Sequence, residues 1–128
     1  MDPHDRKYSR EHEWLLLEKG GKALVGITAY AQEQLGDVVF VDLPKPGTRL
    51  TQFQKLGEVE SVKAVSDIFS PIAGEVLEVN EELLKHPELM NQDPYGAGWL
   101  VRLGKVDAGE MQKLLSAEAY QQFLSQQP

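Results

Sequence analysis

The sequence predicts a mainly β protein, a flattened barrel or sandwich with one short internal helix and further helices only at its C-terminal end. Short runs rich in β-branched and other apolar residues recur between Gly- and Pro-bearing turns as far as about residue 104, the pattern of many short strands. The hydrophobic period then changes, because Met111, Leu114 and Leu115, and after them Tyr120, Phe123 and Leu124, fall at helical spacing. An internal echo adds a third observation. Gly36-Asp37-Val38-Val39-Phe40-Val41 matches Gly74-Glu75-Val76-Leu77-Glu78-Val79 in its glycine, acid, first valine and last valine, as two similar half-units wrapped on each other would.

Taken in order, Trp14-Leu15-Leu16-Leu17 and Ala23-Leu24-Val25-Gly26-Ile27 flank Gly20-Gly21, which predicts a hairpin. Thr28 is placed to cap a short helix running to Leu35, and Gly36 to stop it. In segment 37–43, Val39 and Val41 alternate with Val38 and Phe40; a strand apolar on both faces predicts a central position. Pro44-Lys45-Pro46-Gly47 is a turn. Strands are predicted over 57–62, 64–70 and 75–79, then a short helix near 81–85 cut by Pro87, a loop over 91–98 and a last strand over 99–103. Asp107 with Glu110 resembles a capping box, and Ser116 caps a second helix. Both helices are predicted to brace the β core.

At 128 residues the chain predicts one domain, residues 1–128, with a β body over about 6–104 and a helical segment over about 107–125. With no cysteine, disulfide and thiol chemistry are excluded. A net charge of −7 argues against phosphate-backbone binding, which needs Lys and Arg to displace counterions. It favours partners with basic docking faces. The sequence shows no membrane-spanning run, signal peptide or transit peptide, so a cytoplasmic protein of a prokaryotic source is predicted. His4, His12 and His86 are dispersed and carry no metal-ligand spacing.

The most informative residue is Lys63, in Glu60-Ser61-Val62-Lys63-Ala64-Val65-Ser66-Asp67. Strand-forming residues lead to it and away from it, which places the amine at the tip of a hairpin. A lysine displayed this way can be found by a modifying enzyme. As a Schiff-base or general-base lysine it would need burial or a cationic neighbour, whereas its nearest ionisable residues are Glu60 and Asp67. A cofactor-free interaction module is the third reading.

Glu60-Ser61-Val62-Lys63-Ala64, with Ser66-Asp67 and Ser70-Pro71-Ile72-Ala73-Gly74-Glu75-Val76, resembles the lipoyl attachment segment of glycine cleavage system H proteins. His12-Glu13-Trp14, Gly26-Ile27-Thr28, Gly36-Asp37-Val38-Val39-Phe40-Val41-Asp42-Leu43-Pro44, Pro87-Glu88-Leu89-Met90-Asn91, Asp93-Pro94-Tyr95-Gly96 and Gly98-Trp99-Leu100 resemble the same family in the same order. The resemblance runs from about residue 8 to 123. Biotinyl domains usually set methionines beside their lysine, and the lipoyl domains of 2-oxo acid dehydrogenases an aspartate before it. Here Val62 and Ala64 stand there, closer to the glycine cleavage pattern.

The resemblance implies a fold of the lipoyl/biotinyl-carrier type and a non-catalytic carrier, with lipoic acid joined to Lys63 as an amide. It implies that the swinging arm serves glycine catabolism and one-carbon metabolism. A pyridoxal-phosphate glycine decarboxylase loads it with an aminomethyl group, and an aminomethyltransferase passes the carbon to tetrahydrofolate. Dihydrolipoyl dehydrogenase, with FAD and NAD, then reoxidises the dithiol. It further implies a cleft for the loaded arm formed with Glu13, Ile27 and Asp67. The carboxylates flanking Lys63, Glu60 and Asp67, offer recognition points for the lipoylating enzyme, and a carrier that must reach several partners works best as a monomer.

Overall fold

Gly20 and Gly21, at φ +76° and +71°, take the left-handed conformation that a tight reversal between twisted strands requires. They join β2 (Glu13–Glu18) to β3 (Lys22–Ile27), after a short β1 (Lys7–Tyr8). The computed structural model describes residues 2–126. Helix α1 (Ala29–Leu35) follows, capped by Thr28, whose hydroxyl accepts from the Ala31 amide, and ended by Gly36 at φ +76°. Five strands come next: β4 (Val38–Asp42), β5 (Arg49–Leu50), β6 (Lys55–Ser61), β7 (Val65–Phe69) and β8 (Gly74–Val79). Helices α2 (Glu81–Lys85) and α3 (Leu89–Gln92) lead to β9 (Val101–Gly104), a 3₁₀ segment (Ala108–Lys113) and α4 (Ala117–Ser125).

The strands form two antiparallel sheets. One has the order β1-β2-β3-β9-β8-β5 and the other β4-β6-β7. The echoed segments become β4 and β8, one in each sheet. Leu15, Val25 and Leu103 of the large sheet and Val41, Val59 and Ile68 of the small one are buried in one shared core. A second cluster forms where α4 meets β1 and β2: Tyr8, Trp14, Ala117 and Tyr120 are buried, with the Tyr8 and Tyr120 rings stacked at 4.9 Å. Paired amides and carbonyls of Tyr8 and Leu115, at 2.8 and 2.7 Å, fasten the chain's C-terminal part beside β1. No helix among the described residues is long and apolar enough to cross a membrane.

Three expectations are corrected. Strand β4 is at the edge of its sheet rather than central, and a bulge between Val38 and Phe40 leaves both Val39 and Phe40 facing outward. The segment predicted as a loop over 91–98 begins inside α3, where Met90 is fully buried and anchors a short helical turn. Asp107 and Glu110 do not form a reciprocal box. Asp107 accepts from the Gly109 amide, while the Glu110 carboxylate reaches across to accept from the Ala73 amide at 2.8 Å. That bond ties the 3₁₀ segment to the start of β8.

Candidate functional site: an exposed lysine beside an apolar groove

Strands β6 and β7 pair from Lys55↔Phe69 to Glu60↔Val65, and residues 61–64 turn between them. The Ser61 amide donates to the Ala64 carbonyl at 2.8 Å. The Ser61 hydroxyl in turn accepts from the amides of Lys63 (3.2 Å) and Ala64 (3.1 Å), an arrangement that holds small polar turns in one geometry. The Val62 amide donates to the Asp37 carbonyl at 3.0 Å. With its amides committed, the tip is stiff, and Lys63 is exposed on it, as the sequence predicted. That exposure leaves none of the desolvation a Schiff-base lysine uses.

The methylene stem of Lys63 lies over Gly36. A Cβ placed on Gly36 would stand 3.1 Å from Lys63 Cε, so the bare glycine is a cradle for the stem. Asn91 fixes that cradle: its Nδ2 donates to the Gly36 carbonyl (2.7 Å) and to Gln32 Oε1 (2.9 Å), and its Oδ1 accepts from the Val38 amide (2.9 Å). Sequence reasoning missed Asn91 as a support for the lysine, since its partners are more than fifty residues away along the chain.

A groove of about 260 Å³ opens beside the hairpin. Ile27, Ala31, Leu35, Val65 and Ile68 give it apolar walls; His12, Tyr30 and Asp67 also line it. Of the residues expected to gather, Ile27 and Asp67 meet here next to Lys63. Glu60 does not; it is exposed on the outer face of the sheet, beside Val65. Asp67 is held by Lys55 at 3.2 Å, and Lys55 also binds Glu58 at 2.6 Å. Glu58 first and Asp67 second hold the Lys55 amine above its ordinary pKa.

Glu13 is fully buried and does not line this groove. Its carboxylate accepts from the Ser9 hydroxyl and from the Phe69 amide at 3.1 Å. Burial, partly offset by these hydrogen bonds, pushes its pKa up to about 8. Its ladder partner Ile27 lines the groove, and its partners Ser9 and Phe69 line a second hollow of about 340 Å³ with Phe53 and Lys113. Glu11 borders both hollows. Glu13 is therefore a buried carboxyl group whose bonded and ladder neighbours border the two hollows.

One wall of the groove depends on the C-terminal helix. His12, at φ +73°, places Nδ1 2.8 Å from the Tyr120 hydroxyl, which is also 2.8 Å from Thr28 Oγ1. Burial lowers the His12 pKa. An apolar lining beside an exposed lysine fits a group carried on that lysine by a long hydrocarbon stem, since such a stem loses water on entering the groove.

The Glycine cleavage H-protein family model matches residues 6–127. A glycine cleavage system H protein of Aeromonas hydrophila is 54% identical over 125 residues, covering 98% of this chain and 97% of that one. One from Bacteroides thetaiotaomicron is 54% identical over 118 residues, covering 92% and 93%. The crystal structure of a glycine cleavage system H protein from Mycobacterium marinum superposes with a TM-score of 0.85 at 38% identity, covering 98% of both chains.

Proposed function

Because this chain belongs to the glycine cleavage H-protein family and serves as its non-catalytic carrier, we propose that Lys63 bears the family's lipoyl group as an amide and that the adjacent groove shelters the loaded arm. The observation that carries this reading is the exposed Lys63, stiffly held, with its stem over Gly36 and an apolar groove beside it. When bound, the lipoyl group supplies a dithiolane that takes up the aminomethyl fragment of glycine and, later, gives up two electrons.

The chain's own residues do the rest. Converting Lys63 to an amide removes its positive charge, so its stem can rest on Gly36 without desolvating an ammonium. Ile27, Leu35 and Ile68 keep water from whatever lies in the groove. Asp67 offers an acceptor at the rim, and Glu13 offers a buried carboxylate whose ionisation is favoured by an arriving ammonium. The stiff turn at Ser61 fixes the root of the arm, and tethering raises its effective concentration at a partner to about the millimolar range.

The partners in this reading are the pyridoxal-phosphate glycine decarboxylase, the tetrahydrofolate-dependent aminomethyltransferase, dihydrolipoyl dehydrogenase and a lipoylating enzyme that reads Glu60 and Asp67. The bacterial relatives support a cytoplasmic setting, where the chain acts as a monomeric carrier domain. The test is to incubate the unmodified protein and its Lys63→Arg variant with lipoate, ATP and a lipoylating ligase. The reading expects one adduct on the first, none on the second, and glycine-dependent CO2 release with the decarboxylase only from the first. Equal CO2 release from both overturns it.

A further inference from the structure

The hollow of about 340 Å³ that Ser9 and Phe69 line is separate from the groove beside Lys63; of their lining residues the two share only Glu11. Distant parts of the chain meet around it. Ser9, Arg10 and Glu11 come from the turn between β1 and β2, Phe53 from the loop before β6, Phe69 from the end of β7 and Lys113 from the end of the 3₁₀ segment. Its size is at the small end of the range for cavities that take small molecules.

Phe53 is held there against its backbone preference. A bulky residue at φ +67° lies outside its favoured regions, yet its amide donates to the Ser70 carbonyl at 2.7 Å, and the next carbonyl, that of Gln54, accepts from the Ser70 amide at 2.8 Å. The Gln54 side chain accepts from the Thr51 amide at 2.9 Å and closes the loop. The surrounding bonds thus fix a conformation that a turn alone would give to glycine. The product is a phenyl ring, 45% exposed, on the lining of the hollow. With the half-buried Phe69 it supplies two aromatic walls.

The charges on the lining have one balance. Arg10 and Lys113 are exposed, and every ion pair among the described residues engages some other cation. Glu11 is the one opposing charge on the lining, and it also acts on His12 and Glu13. Glu13, bonded to Ser9 and Phe69, is kept uncharged at neutral pH by burial and adds no negative charge. On a chain of net charge −7, two cations left free beside two rings are a local exception.

We propose that this hollow is a second binding site, and that it takes a small aryl carboxylate: one anionic group on a ring-sized apolar body. The body lies between Phe53 and Phe69, where it leaves water and meets ring faces and edges. The carboxylate reaches the Arg10 guanidinium and the Lys113 ammonium at the rim. The site goes beyond the carrier reading and does not depend on it, since neither its cations nor its rings belong to the arm groove.

The test titrates the full chain, nitrogen-labelled and with Lys63 unmodified, with 3-phenylpropionate, and in parallel with 3-phenylpropanamide and phenethylamine, which carry a phenyl body without the negative charge. The proposal expects saturable shifts of the Arg10, Phe53 and Phe69 amides with the carboxylate, and a Kd at least about tenfold weaker for each of the other two probes. An Arg10→Gln/Lys113→Gln variant and a Phe53→Gly variant are each expected to weaken 3-phenylpropionate by a similar factor. Glycine suits the backbone at position 53, and matching urea unfolding establishes that both variants are folded. Absence of saturable shifts overturns the proposal, as does equal binding of the three probes or affinity unchanged by both variants. Shifts centred on Ile27 and Leu35 place the probe in the arm groove and overturn it. Shifts of the Phe53 and Phe69 amides that follow protein concentration without any probe make a second copy of the chain the occupant, and also overturn it.

Discussion

The Tyr120 hydroxyl and His12 Nδ1 lie 2.8 Å apart, and through this contact the last helix of the chain reaches the wall of the groove beside Lys63. The same hydroxyl lies 2.8 Å from Thr28 Oγ1, so one oxygen joins α4 to both His12 and the start of α1. Thr28 Oγ1 in turn accepts from the Ala31 amide, so the hydroxyl that caps α1 is in contact with the last helix. Burial lowers the His12 pKa, which favours the neutral imidazole at this wall of the groove.

Replacing Tyr120 by Phe keeps the stacking on Tyr8 and deletes both oxygen contacts. Two partly or fully buried polar groups lose their partner, so the variant is expected to lose about 1–3 kcal/mol in urea unfolding. Nitrogen NMR of the His12 ring should show a changed tautomer balance in the variant, because Nδ1 loses its partner. Unchanged ring signals would remove the helix from any role in shaping the groove.

The pKa of Glu13, raised by burial from an ordinary 4.5 to about 8, predicts a pH dependence of stability. Between those values the folded protein keeps a proton that the unfolded chain has released. The contribution is full below about pH 4.5 and is lost as pH rises through about 8, amounting to roughly 2–5 kcal/mol. A Glu13→Gln variant can still accept from the Phe69 amide and meet Ser9, and it does not titrate. Its unfolding free energy, measured from pH 5 to 9, should therefore gain steadily on the parent's. Parallel curves would show that Glu13 is ionised in the resting protein.

Gly36 adopts φ +76° with ψ −152°, a region essentially closed to residues with a side chain. Gly36→Ala is expected to cost about 1–3 kcal/mol from backbone strain alone. The added methyl also presses on the Lys63 stem, and because the stem can swing away, its main effect is to displace the lysine. Slower modification by a lipoylating ligase, assayed at a temperature where both proteins are folded, is the expected outcome.

Asn91→Ala removes all three bonds that tie α3 to the turn after α1. A loss of about 2–3 kcal/mol is expected, since the Val38 amide and Gly36 carbonyl are left without their partner. Hydrogen exchange should report the loss first at Val38, beside the lysine cradle. Equal protection there in both proteins would contradict the support role assigned to Asn91.

What the sequence made legible is local. Thr28, Ser116 and the Gly20-Gly21 pair announce caps and a turn within a few residues of themselves, and each is found where its chemistry placed it. The tip position of Lys63 was legible for the same reason, from the strands that flank it. What was hidden depends on distant partners. Val39 and Phe40 predicted a central strand, and only the bulge against β6 shows that they face solvent. Glu110 sat at capping-box spacing from Asp107, yet bonds to Ala73. Glu13 was expected to help form the cleft itself, whereas the fold buries it beside its ladder partner Ile27.

The most direct test of the carrier reading is intact mass measurement of the protein purified from its native source, with fragmentation to place any adduct. The account predicts a lipoyl amide on Lys63 and on no other lysine. Native protein found wholly unmodified, or modified at a different residue, would contradict it.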